Sequence, residues 1–390
     1  MPFRKLTWAI ALAMFAGNAP ASASRYEIAT ITITDLGTLG GQESVARDIN
    51  NLGDAVGWAH KADGRQSAFM HLAGVMADIG WNLASNYDTE ATGINSLRSA
   101  VAIARARTDL RPHAATYSYG GSMVLMDEGI HPDVARMCNY RSLVQALNDS
   151  GMAVGAISIQ TPTSRCYPAY EPAYWTHVFG VPETLDVGLP GGQNFDVNNH
   201  GTFVGMANEC CVRVDHKAFR WHSGVLTAVP LPPGMGILGS GGPARGINDG
   251  GQVVGEFYVL GESGARLRRA FFWDGVGAHS IFTGVLPTGT ESMAYEVNRQ
   301  GFVVGVADKW TISPLPGPPG YRRNHGFVWH PSIGMRELPK LPASGYSGGC
   351  EAYAVNDLSQ GRVQIVGYCN SGSRRRAVRW DVSVRFLGPS

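Results

Sequence analysis

A serine flanked by glycines is the first candidate for catalysis in this sequence. The run Gly345-Tyr346-Ser347-Gly348-Gly349 has the glycine spacing of a hydrolase nucleophile elbow, a motif that holds its serine on a sharp turn between a strand and a helix. The same run aligns with Leu39-Gly40-Gly41, part of a glycine-rich turn that recurs along the chain. We therefore interpret it as a turn between repeats and assign no catalytic residue.

Carboxylates and metal ligands indicate no clearer reaction. The turn Asn248-Asp249-Gly250-Gly251 is acidic, but it lacks the series of oxygen ligands and the final glutamate of a calcium loop, and hairpin geometry explains it. No cysteines and histidines have zinc spacing, so the sequence predicts no metal and no cofactor. Glycoside cleavage needs two carboxyl groups about 5 to 10 Å apart. The sequence alone does not give such distances, so it does not show which two of the candidate carboxylates would form the pair. Those candidates are Glu209, Asp215, Glu256, Glu262 and Asp308.

The elements that must position such residues follow a repeat. Its clearest unit is an aliphatic residue, an asparagine, two residues, a glycine, three residues and a second glycine, as in Ile49-Asn50 with Gly53 and Gly57. In the second copy, Arg98 and Ala102 replace the two glycines. A fixed period of about 50 residues indicates a repeat architecture. The repeated asparagines are Asn50, Asn95, Asn148, Asn198, Asn248, Asn298 and Asn356.

Each unit has the pattern of four short strands. The first strand ends at the asparagine, and a turn containing Asn or Asp and Gly leads into a small apolar second strand. The third strand carries an aromatic pair two residues apart, such as Phe271 and Trp273. Because side chains alternate along a strand, both rings lie on one face and are predicted to be core. The fourth strand ends in a turn of the type Asp35-Leu36-Gly37.

Seven such units predict an all-β fold, a seven-bladed β-propeller of four-stranded blades. A linear β-solenoid is the alternative. The fourth-strand motif occurs once more than the others, because residues 26–37 precede the first complete unit. We expect this extra strand to pair with the last unit near residues 377–387 and to close the ring, so that residues 24–390 form a single domain.

The N-terminus indicates export. Arg4 and Lys5 precede a mainly apolar stretch over residues 6–16, and Ala21-Ser22-Ala23 precedes Ser24, which predicts a signal peptide at residues 1–23. The apolar stretch is half as long as the ~20 residues that cross a bilayer, and no later segment is long enough. We expect a secreted or periplasmic protein with no membrane span after signal removal. Glycine supplies 50 of 390 residues and charged residues only 16%, which disfavours long surface helices.

The turn and strand motifs resemble a known family. The run from Asp35 to Gly41, the Ile-Asn-x-x-Gly-x-x-Val-Gly segments and the Ala-Phe-x-Trp strands are similar to the bacterial extracellular repeat family named for its His-Ala-Phe tripeptide (HAF repeat). The resemblance covers essentially all of the mature chain. It implies an extracellular repeat protein and brings no established reaction. The tripeptide itself is degraded here, to His325-Gly326-Phe327, His113-Ala114-Ala115 and Lys217-Ala218-Phe219, so we interpret these histidines as strand-edge residues. Kelch-type propellers share only the architecture.

The six cysteines are even in number and, after export, meet an oxidising compartment. Two pairs are nearly symmetric about the hairpin turns of the third and seventh units, and antiparallel strands would place such partners opposite each other. The predicted disulfides are Cys138–Cys166 and Cys350–Cys369. The adjacent Cys210 and Cys211 form a strained vicinal disulfide or remain thiols, and we favour the disulfide.

Loop length and charge predict the functional face. The connection between the second and third strands covers residues 58–67 in the first unit but 156–171 in the third and 306–325 in the sixth. Variable loops on a rigid scaffold concentrate function, although solvated insertions are the alternative. The seven connections hold 17 of the 32 basic residues and 8 of the 31 acidic ones. The residues predicted to bind are Arg105, Arg107, Arg213, Arg266, Arg268, Arg269, Trp310, Tyr321, Arg322, Arg323, Arg374, Arg375 and Arg376.

A patch of one charge sign attracts oppositely charged partners. Nucleic acid is an unsuitable target for an exported protein. The sequence therefore predicts a monomeric binding or scaffold module at the cell exterior, for an anionic polysaccharide or envelope polymer. Two alternatives stay open. The arginines keep the loops soluble or pair with acids of the neighbouring unit, or the chain is a glycan-degrading propeller enzyme, a hydrolase or lyase.

Overall fold

The computed structural model describes residues 24–126, 141–158, 170–188, 191–208, 216–232, 241–262, 264–275, 280–282, 284, 286, 289–311, 321–342 and 347–389. These ranges contain 28 β-strands and no α-helix. None of their elements is a helix long and apolar enough to cross a membrane. The predicted signal peptide at residues 1–23 lies outside the described residues.

The strands follow the repeat. The first four units contain β2 (Gly40–Ile49), β3 (Ala55–Lys61), β4 (Gln66–Leu72), β5 (Val75–Asp78), β6 (Tyr87–Ile94), β7 (Ala100–Ala106), β8 (Pro112–Tyr117), β9 (Met123–Leu125), β10 (Arg141–Leu147), β11 (Ala153–Ser158), β12 (Glu171–Trp175), β13 (Glu183–Thr184), β14 (Gly191–Val197), β15 (Phe203–Asn208), β16 (His216–His222) and β17 (Val225–Ala228). The remaining strands are β1 (Ser24–Gly37), β18 (Gly241–Ile247), β19 (Val253–Leu260), β20 (Arg266–Trp273), β21 (Ser280–Phe282), β22 (Ser292–Val297), β23 (Val303–Thr311), β24 (Tyr321–His330), β25 (Gly334–Glu337), β26 (Ser347–Val355), β27 (Arg362–Ser371) and β28 (Arg374–Pro389).

Successive strands of a unit pair antiparallel, so the fold is an array of four-stranded sheets. Five sheets have four strands each, and β14 to β17 join β18 to β21 in a larger sheet through the single residue pair His216 and Gly241. The last sheet has the order β1-β28-β27-β26. In it, β1 pairs with β28 from Ser24 opposite Pro389 to Gly37 opposite Ala377, which is the strand pairing expected from the sequence.

The repeated asparagine stabilises its own hairpin. Asn198 follows the last residue of β14, and its Oδ1 accepts hydrogen bonds from the backbone N–H groups of His200 and Thr202, both at 3.0 Å. Gly201, in the same turn, has φ of +70°, a left-handed conformation that glycine adopts without steric cost. The motif thus satisfies the polar groups of a tight turn at the end of each first strand.

The same asparagine also reaches the next unit. Its Nδ2 donates to the backbone carbonyl oxygen of the asparagine in the following repeat, and the last asparagine donates to the first. The seven bonds run from Asn50 to Asn95 (3.1 Å), Asn95 to Asn148 (3.2 Å), Asn148 to Asn198 (3.0 Å), Asn198 to Asn248 (3.0 Å), Asn248 to Asn298 (2.7 Å), Asn298 to Asn356 (2.9 Å) and Asn356 to Asn50 (3.4 Å). All seven asparagines are buried.

The degenerate second unit keeps its turn by another means. Arg98 occupies the glycine position with φ of +62°, a conformation that costs energy for a residue with a side chain. Its Nε donates to Asp54 Oδ2 in the preceding unit at 2.7 Å, and Asp54 is buried. The ion pair offsets the backbone strain, so the loss of the glycine leaves the hairpin in place.

A β-bulge interrupts the first strand of every unit. The register with the second strand shifts just before the last residues of β2, β6, β10, β14, β18, β22 and β26. The second glycine of the motif lies opposite this bulge, and a Cβ on Gly57 would be 2.0 Å from the carbonyl oxygen of Val45. The glycine therefore allows a very close backbone approach at the bulge, although the second unit forms its bulge opposite Ala102.

The aromatic residues of the third strands are core, as predicted. Trp175, Phe271, Phe327 and Trp380 are fully buried. Trp221 is partly exposed and stacks on Phe203 at a ring-centroid distance of 4.6 Å. These rings fill the space between neighbouring sheets.

Candidate functional site

The first strands of all seven units line one cavity of about 680 Å³. Its wall is formed by β2, β6, β10, β14, β18, β22 and β26, together with the hairpin turns that follow them. A concave, mostly preformed space of this size is where a small ligand or part of a polymer is held. The cavity is therefore the candidate functional site.

The bulges decide which side chains the cavity contains. In each unit the residue three positions before the asparagine falls at the register shift, is partly exposed and lines the cavity. We call these seven residues the bulge ring. They are Arg47, Thr92, Gln145, Phe195, Arg245, Tyr295 and Tyr353. A bulge redirects a side chain. The seven bulges present two cations, three aromatic rings, a hydroxyl and an amide to the cavity. These seven residues differ from unit to unit, whereas the asparagine three positions later is the same in every unit.

Two arginines organise the bulge ring. Arg245 donates to Glu256 through Nε at 2.6 Å and through a second guanidinium nitrogen at 2.8 Å, and its guanidinium lies 5.2 Å from the ring of Phe195 and 5.6 Å from that of Tyr295. Arg47 donates to Glu90 at 2.6 Å and lies 4.7 Å from the ring of Tyr353. Glu256 raises the pKa of Arg245 against the opposing effect of burial. Both side chains are thus fixed by paired hydrogen bonds or ring contacts.

Tyrosine hydroxyls form a second fixed group beside Arg47. The hydroxyls of Tyr353 and Tyr368 donate to the two oxygens of Glu351 at 3.0 and 3.1 Å. Burial is the main cause that raises the pKa of both tyrosines, and Glu351 adds to it. These phenols stay protonated at neutral pH and act as hydrogen-bond donors.

Three carboxyl groups lie one residue beyond the bulge ring. Asp48 accepts from the N–H of Ile49 and from that of Ile94 in the next unit, both at 2.7 Å. Asp196 makes the equivalent bonds within its own unit and to the fifth unit. Burial raises the pKa of Asp48 to about 6 and that of Asp196 to about 7, although the N–H bonds oppose the shift. Burial likewise raises the pKa of Glu296 well above its usual value.

The two ends of the cavity differ in charge. The hairpin end consists of the residues that follow each asparagine, which are Asn51, Ser96, Asp149, Asn199, Asp249, Arg299 and Asp357. The arginine end contains Arg105 and Arg268 beyond the bulge ring and is bordered by Arg47 and Arg245 of the ring itself. Acidic groups outnumber basic ones at the hairpin end, and the reverse holds at the arginine end. The cavity is therefore electrostatically polar along its length.

Only two of the thirteen predicted binding residues line the cavity. Arg105 is exposed and makes no ion pair or hydrogen bond through its side chain among the described residues. Arg268 Nε lies 3.4 Å from Glu291 of the next unit. Arg213 lies outside the described residues.

Several of the other predicted residues are engaged elsewhere. Arg107 pairs with Asp88 at 2.5 Å and Arg376 pairs with Asp35 of β1 at 3.1 Å. Arg375 lies 4.9 Å from the ring of Trp58.

The rest of the predicted set lies in β20, β23, β24 and β28. Arg266 lies 4.4 Å from the ring of Tyr258, and Arg269 donates to the carbonyl of Arg268. The remaining positions are Trp310 in β23, Tyr321, Arg322 and Arg323 at the start of β24, and the exposed Arg374 at the start of β28.

The expectation that these residues occupy long loops was wrong for most of them. The second and third strands extend further than predicted, and in the seventh unit they are joined by residues 372–373 alone. Arg374, Arg375 and Arg376 therefore lie in β28, where alternation points neighbours to opposite faces. The basic residues are divided between the cavity, the neighbouring units and solvent.

The candidate catalytic residues are used structurally. Glu256 is buried against Arg245, and Asp308 accepts from the backbone N–H of Thr290 and of Glu291. Ser347 begins β26, and within the described chain no helix follows it, so the nucleophile-elbow geometry is not formed. Glu209 and Asp215 lie outside the described residues. Within the described ranges no group of three or more metal-binding side chains occurs.

One predicted disulfide is confirmed. Cys350 of β26 lies directly opposite Cys369 of β27, and the two are bonded. The prediction relied on symmetry about the hairpin, and this register provides it. The other four cysteines, Cys138, Cys166, Cys210 and Cys211, lie outside the described residues.

The interpretation of the tripeptide histidine as a strand-edge residue was wrong for His325. Its side chain is 4% exposed, and its Nδ1 lies 2.5 Å from Glu337. Ser67, at the same position of the first unit, donates to Asp78 at 2.6 Å. This position therefore pairs the third strand with an acid of the fourth strand.

Comparison with known proteins shows the fold alone. No family profile and no curated protein matches the sequence. A puromycin-hydrolyzing peptidase of Mycobacterium tuberculosis is similar with a TM-score of 0.53 and 9% identity over 96% of this chain and 57% of that chain. A puromycin hydrolase gives 0.52 with 12% identity over 95% and 56%, so this chain spans little more than half of either peptidase. The β-propeller domain of the Trilobed protease from Pyrococcus furiosus gives 0.49 with 10% identity over 88% and 95%. The chain is an all-β protein of four-stranded sheets.

Proposed function

We propose that this chain is an exported, closed seven-bladed β-propeller that binds an anionic saccharide in its central cavity. The bulge ring is the observation that carries the proposal. A repeated framework places chemically different side chains at seven equivalent, cavity-facing positions, and variation on a fixed scaffold is where binding specificity resides.

Two sets of contacts support the closed ring. The asparagine series returns from Asn356 to Asn50. The last hairpin turn also contacts the first, because Asp357 N–H donates to Asn51 Oδ1 at 2.8 Å. The pairing of β1 with β28 then completes the last four-stranded sheet. A seven-unit ring leaves only short strand edges exposed, and its centre is the cavity described above.

The side chains of the cavity favour a saccharide with acidic groups. Phe195, Tyr295 and Tyr353 provide flat faces, while Thr92 and Gln145 provide neutral hydrogen-bonding groups. Guanidinium groups recognise carboxylate and sulfate oxygens through paired hydrogen bonds. The arginine end supplies such groups. We expect the acidic groups of the ligand to face that end, because the carboxylates at the hairpin end would repel them.

Export is supported by the N-terminal sequence pattern and is consistent with the Cys350–Cys369 disulfide. The resemblance to the HAF repeat family points in the same direction. Exposure outside the cytoplasm would bring the cavity into contact with envelope or environmental polysaccharides.

Binding of oligogalacturonates, measured by isothermal titration calorimetry, tests the proposal. Arg105→Ser should weaken binding about tenfold, the effect of losing one charge-assisted contact. Arg299→Ser, at the opposite end of the same cavity, is the matched control and should not weaken binding. Affinity should also fall as salt is raised, since part of the interaction is electrostatic.

A second pair of variants tests the aromatic surface. Phe195→Ala should reduce affinity, whereas Phe179→Ala removes a phenyl ring that is 67% exposed outside the cavity and should leave affinity unchanged. Equal effects of the two arginine variants, or of the two phenylalanine variants, would contradict binding in the cavity. Absence of any binding at low salt would contradict the proposed ligand class.

A glycan-degrading enzyme is a second candidate. The observation that favours it is the presence of Asp48 and Asp196 in one cavity with pKa values raised to about 6 and about 7, a range suited to general acid catalysis at neutral pH. Release of reducing ends or unsaturated products from the same oligosaccharides tests it. Product release by the wild-type protein but not by Asp196→Asn would support the enzyme. Binding of the oligosaccharides without product release would support the binding protein.

A further inference from the structure

A second cluster of charged side chains lies away from the cavity, at the end of β25. Glu337 receives His325 Nδ1 at 2.5 Å on one oxygen and Lys309 Nζ at 2.8 Å on the other. These bonds, that with His325 first, lower the pKa of Glu337 to about 2, although burial opposes them. Both carboxylate oxygens of Glu337 are therefore occupied by donors from the same unit.

Lys340 is the lysine of this cluster that makes no hydrogen bond to a carboxylate among the described residues. Its one hydrogen-bond contact among the described residues is His325 Nε2, at 3.5 Å. His325 Nδ1 is already bonded to Glu337, and an imidazole supplies no negative charge to Lys340. Burial and the cations Arg323 and Lys309 lower the pKa of Lys340, against the attraction of Glu337. The cluster thus has two lysines, Lys309 and Lys340, beside the one carboxylate of Glu337.

The Lys340 side chain lines a shallow pocket between the sixth and seventh units. The pocket is formed by Glu337, Leu338, Pro339 and Lys340 on one side and by Ile31 of β1 on the other. Leu338 is fully buried, and Ile31 packs against the apolar cluster of the last sheet. An ammonium group therefore lies beside an apolar surface.

The first unit provides an internal comparison. Lys61 Nζ donates to Asp78 at 2.8 Å, and Ser67 donates to the other oxygen of Asp78 at 2.6 Å. The residue three positions after the acid, which corresponds to Lys340, is the exposed Trp81. The first unit therefore has one lysine for one carboxylate at this place and no counterpart of the additional charge of Lys340.

We propose that this pocket binds an organic anion, with a carboxylate or sulfate oxygen on Lys340 Nζ and the apolar part of the molecule against Ile31 and Pro339. The anionic group would replace the weak contact to His325 with a charge-assisted hydrogen bond. This site is separate from the central cavity, so it does not depend on the proposed saccharide binding.

Calorimetric titration with three probes tests the site. Benzoate supplies charge and an apolar ring, inorganic sulfate supplies charge alone, and benzyl alcohol supplies the ring alone. Benzoate should bind most tightly, and its binding should shift the imidazole signals of His325 in NMR spectra. Lys340→Met should weaken benzoate binding at least about tenfold, whereas Lys340→Arg should retain it.

The control is Lys61→Met, which removes the first-unit counterpart of Lys309, a lysine bonded to the equivalent acid, and should leave benzoate affinity unchanged. Urea denaturation of each variant verifies that the fold is intact. The proposal is overturned if benzyl alcohol binds as tightly as benzoate, if Lys340→Met binds like the wild type, or if the His325 signals do not move. Tighter binding of sulfate than of benzoate would show an inorganic anion site instead and would overturn the apolar part of the proposal.

Discussion

The double role of the repeated asparagine can be separated by replacing Asn198 with aspartate. The aspartate keeps an oxygen to accept from the N–H groups of His200 and Thr202, but it loses the Nδ2 donor to the carbonyl of Asn248. That carbonyl still accepts from Gly251 N–H at 3.0 Å, so no group becomes entirely unpaired. One lost hydrogen bond is worth about 1 kcal/mol, and an ionised carboxylate buried against a carbonyl oxygen adds about 3 kcal/mol or more.

The comparison variant Asn198→Ala loses all three bonds. It leaves the buried N–H of Thr202 without its side-chain partner, and we expect a loss of about 3 kcal/mol or more in the free energy of unfolding. Both variants should therefore be less stable than the wild type at neutral pH. Urea denaturation gives these differences from the midpoints, provided that the slopes agree.

Acid should rescue the aspartate variant selectively. A protonated carboxyl at position 198 can donate its O–H to the Asn248 carbonyl, and burial raises the pKa of such a group. At about pH 5 the aspartate variant should thus approach the wild type, while the alanine variant stays about 3 kcal/mol below it. An aspartate variant as stable as the wild type at neutral pH, or equal to the alanine variant at both pH values, would refute the inter-unit role of the asparagine.

Three further expectations follow from the same structure. Burial raises the pKa of Asp48 and Asp196 in the folded state, so the folded protein binds more protons there than the unfolded chain, and the free energy of unfolding should fall by a few kcal/mol as pH rises through about 4 to 8. Replacing both residues by asparagine should reduce this pH dependence, measured by urea denaturation. An unchanged pH dependence would contradict the raised pKa values. Replacing Cys350 and Cys369 by serine opens a loop with a sequence separation of 19 and should lower stability by about 3 kcal/mol, while a melting temperature unaffected by reductant would argue against it. Deleting residues 26–36 removes most of β1 and should lower the melting temperature of the whole chain, not only loosen one sheet; an unchanged melting temperature would sink the closed-ring proposal.

The four-stranded units could be predicted from the sequence because the residues that define them are close together in the chain. The asparagine and glycine positions define tight turns, and the aromatic pairs of the third strands define a buried face. The disulfide Cys350–Cys369 was accessible for the same reason, since symmetry about a hairpin fixes which residues lie opposite each other.

The central site was not accessible, because it depends on register. Simple alternation predicts which face each side chain occupies, but a shift of one residue reverses every face beyond it. The bulge places such a shift immediately before the asparagine, so that Tyr295 and Tyr353 line the cavity. The sequence does show that the residue three positions before each asparagine varies from unit to unit. This variation can be recognised as a set of cavity-lining residues only when the position of the bulge is known.

The charged residues were misjudged for a related reason. The sequence gives the number of arginines in each connection, but their ion pairs are formed with residues on other strands. Arg376 meets Asp35, which is 341 residues away in sequence, and no local pattern indicates that neighbour. The same applies to His325, whose acid lies on the adjacent strand of its own unit.

The pairing of β1 with β28 has a consequence for biogenesis. A ribosome makes β1 first and β28 last, so the outer strand of the final sheet has no partner until nearly the whole chain has been synthesised. During that interval Ile31 and Ile33 would be uncovered on a strand with free backbone groups, the form of segment that associates with other chains. Contacts so distant in sequence also slow folding. Production of this protein should therefore be limited by protection of its nascent N-terminal strand, and supplying that strand as a separate peptide to a chain that lacks it offers a way to control assembly.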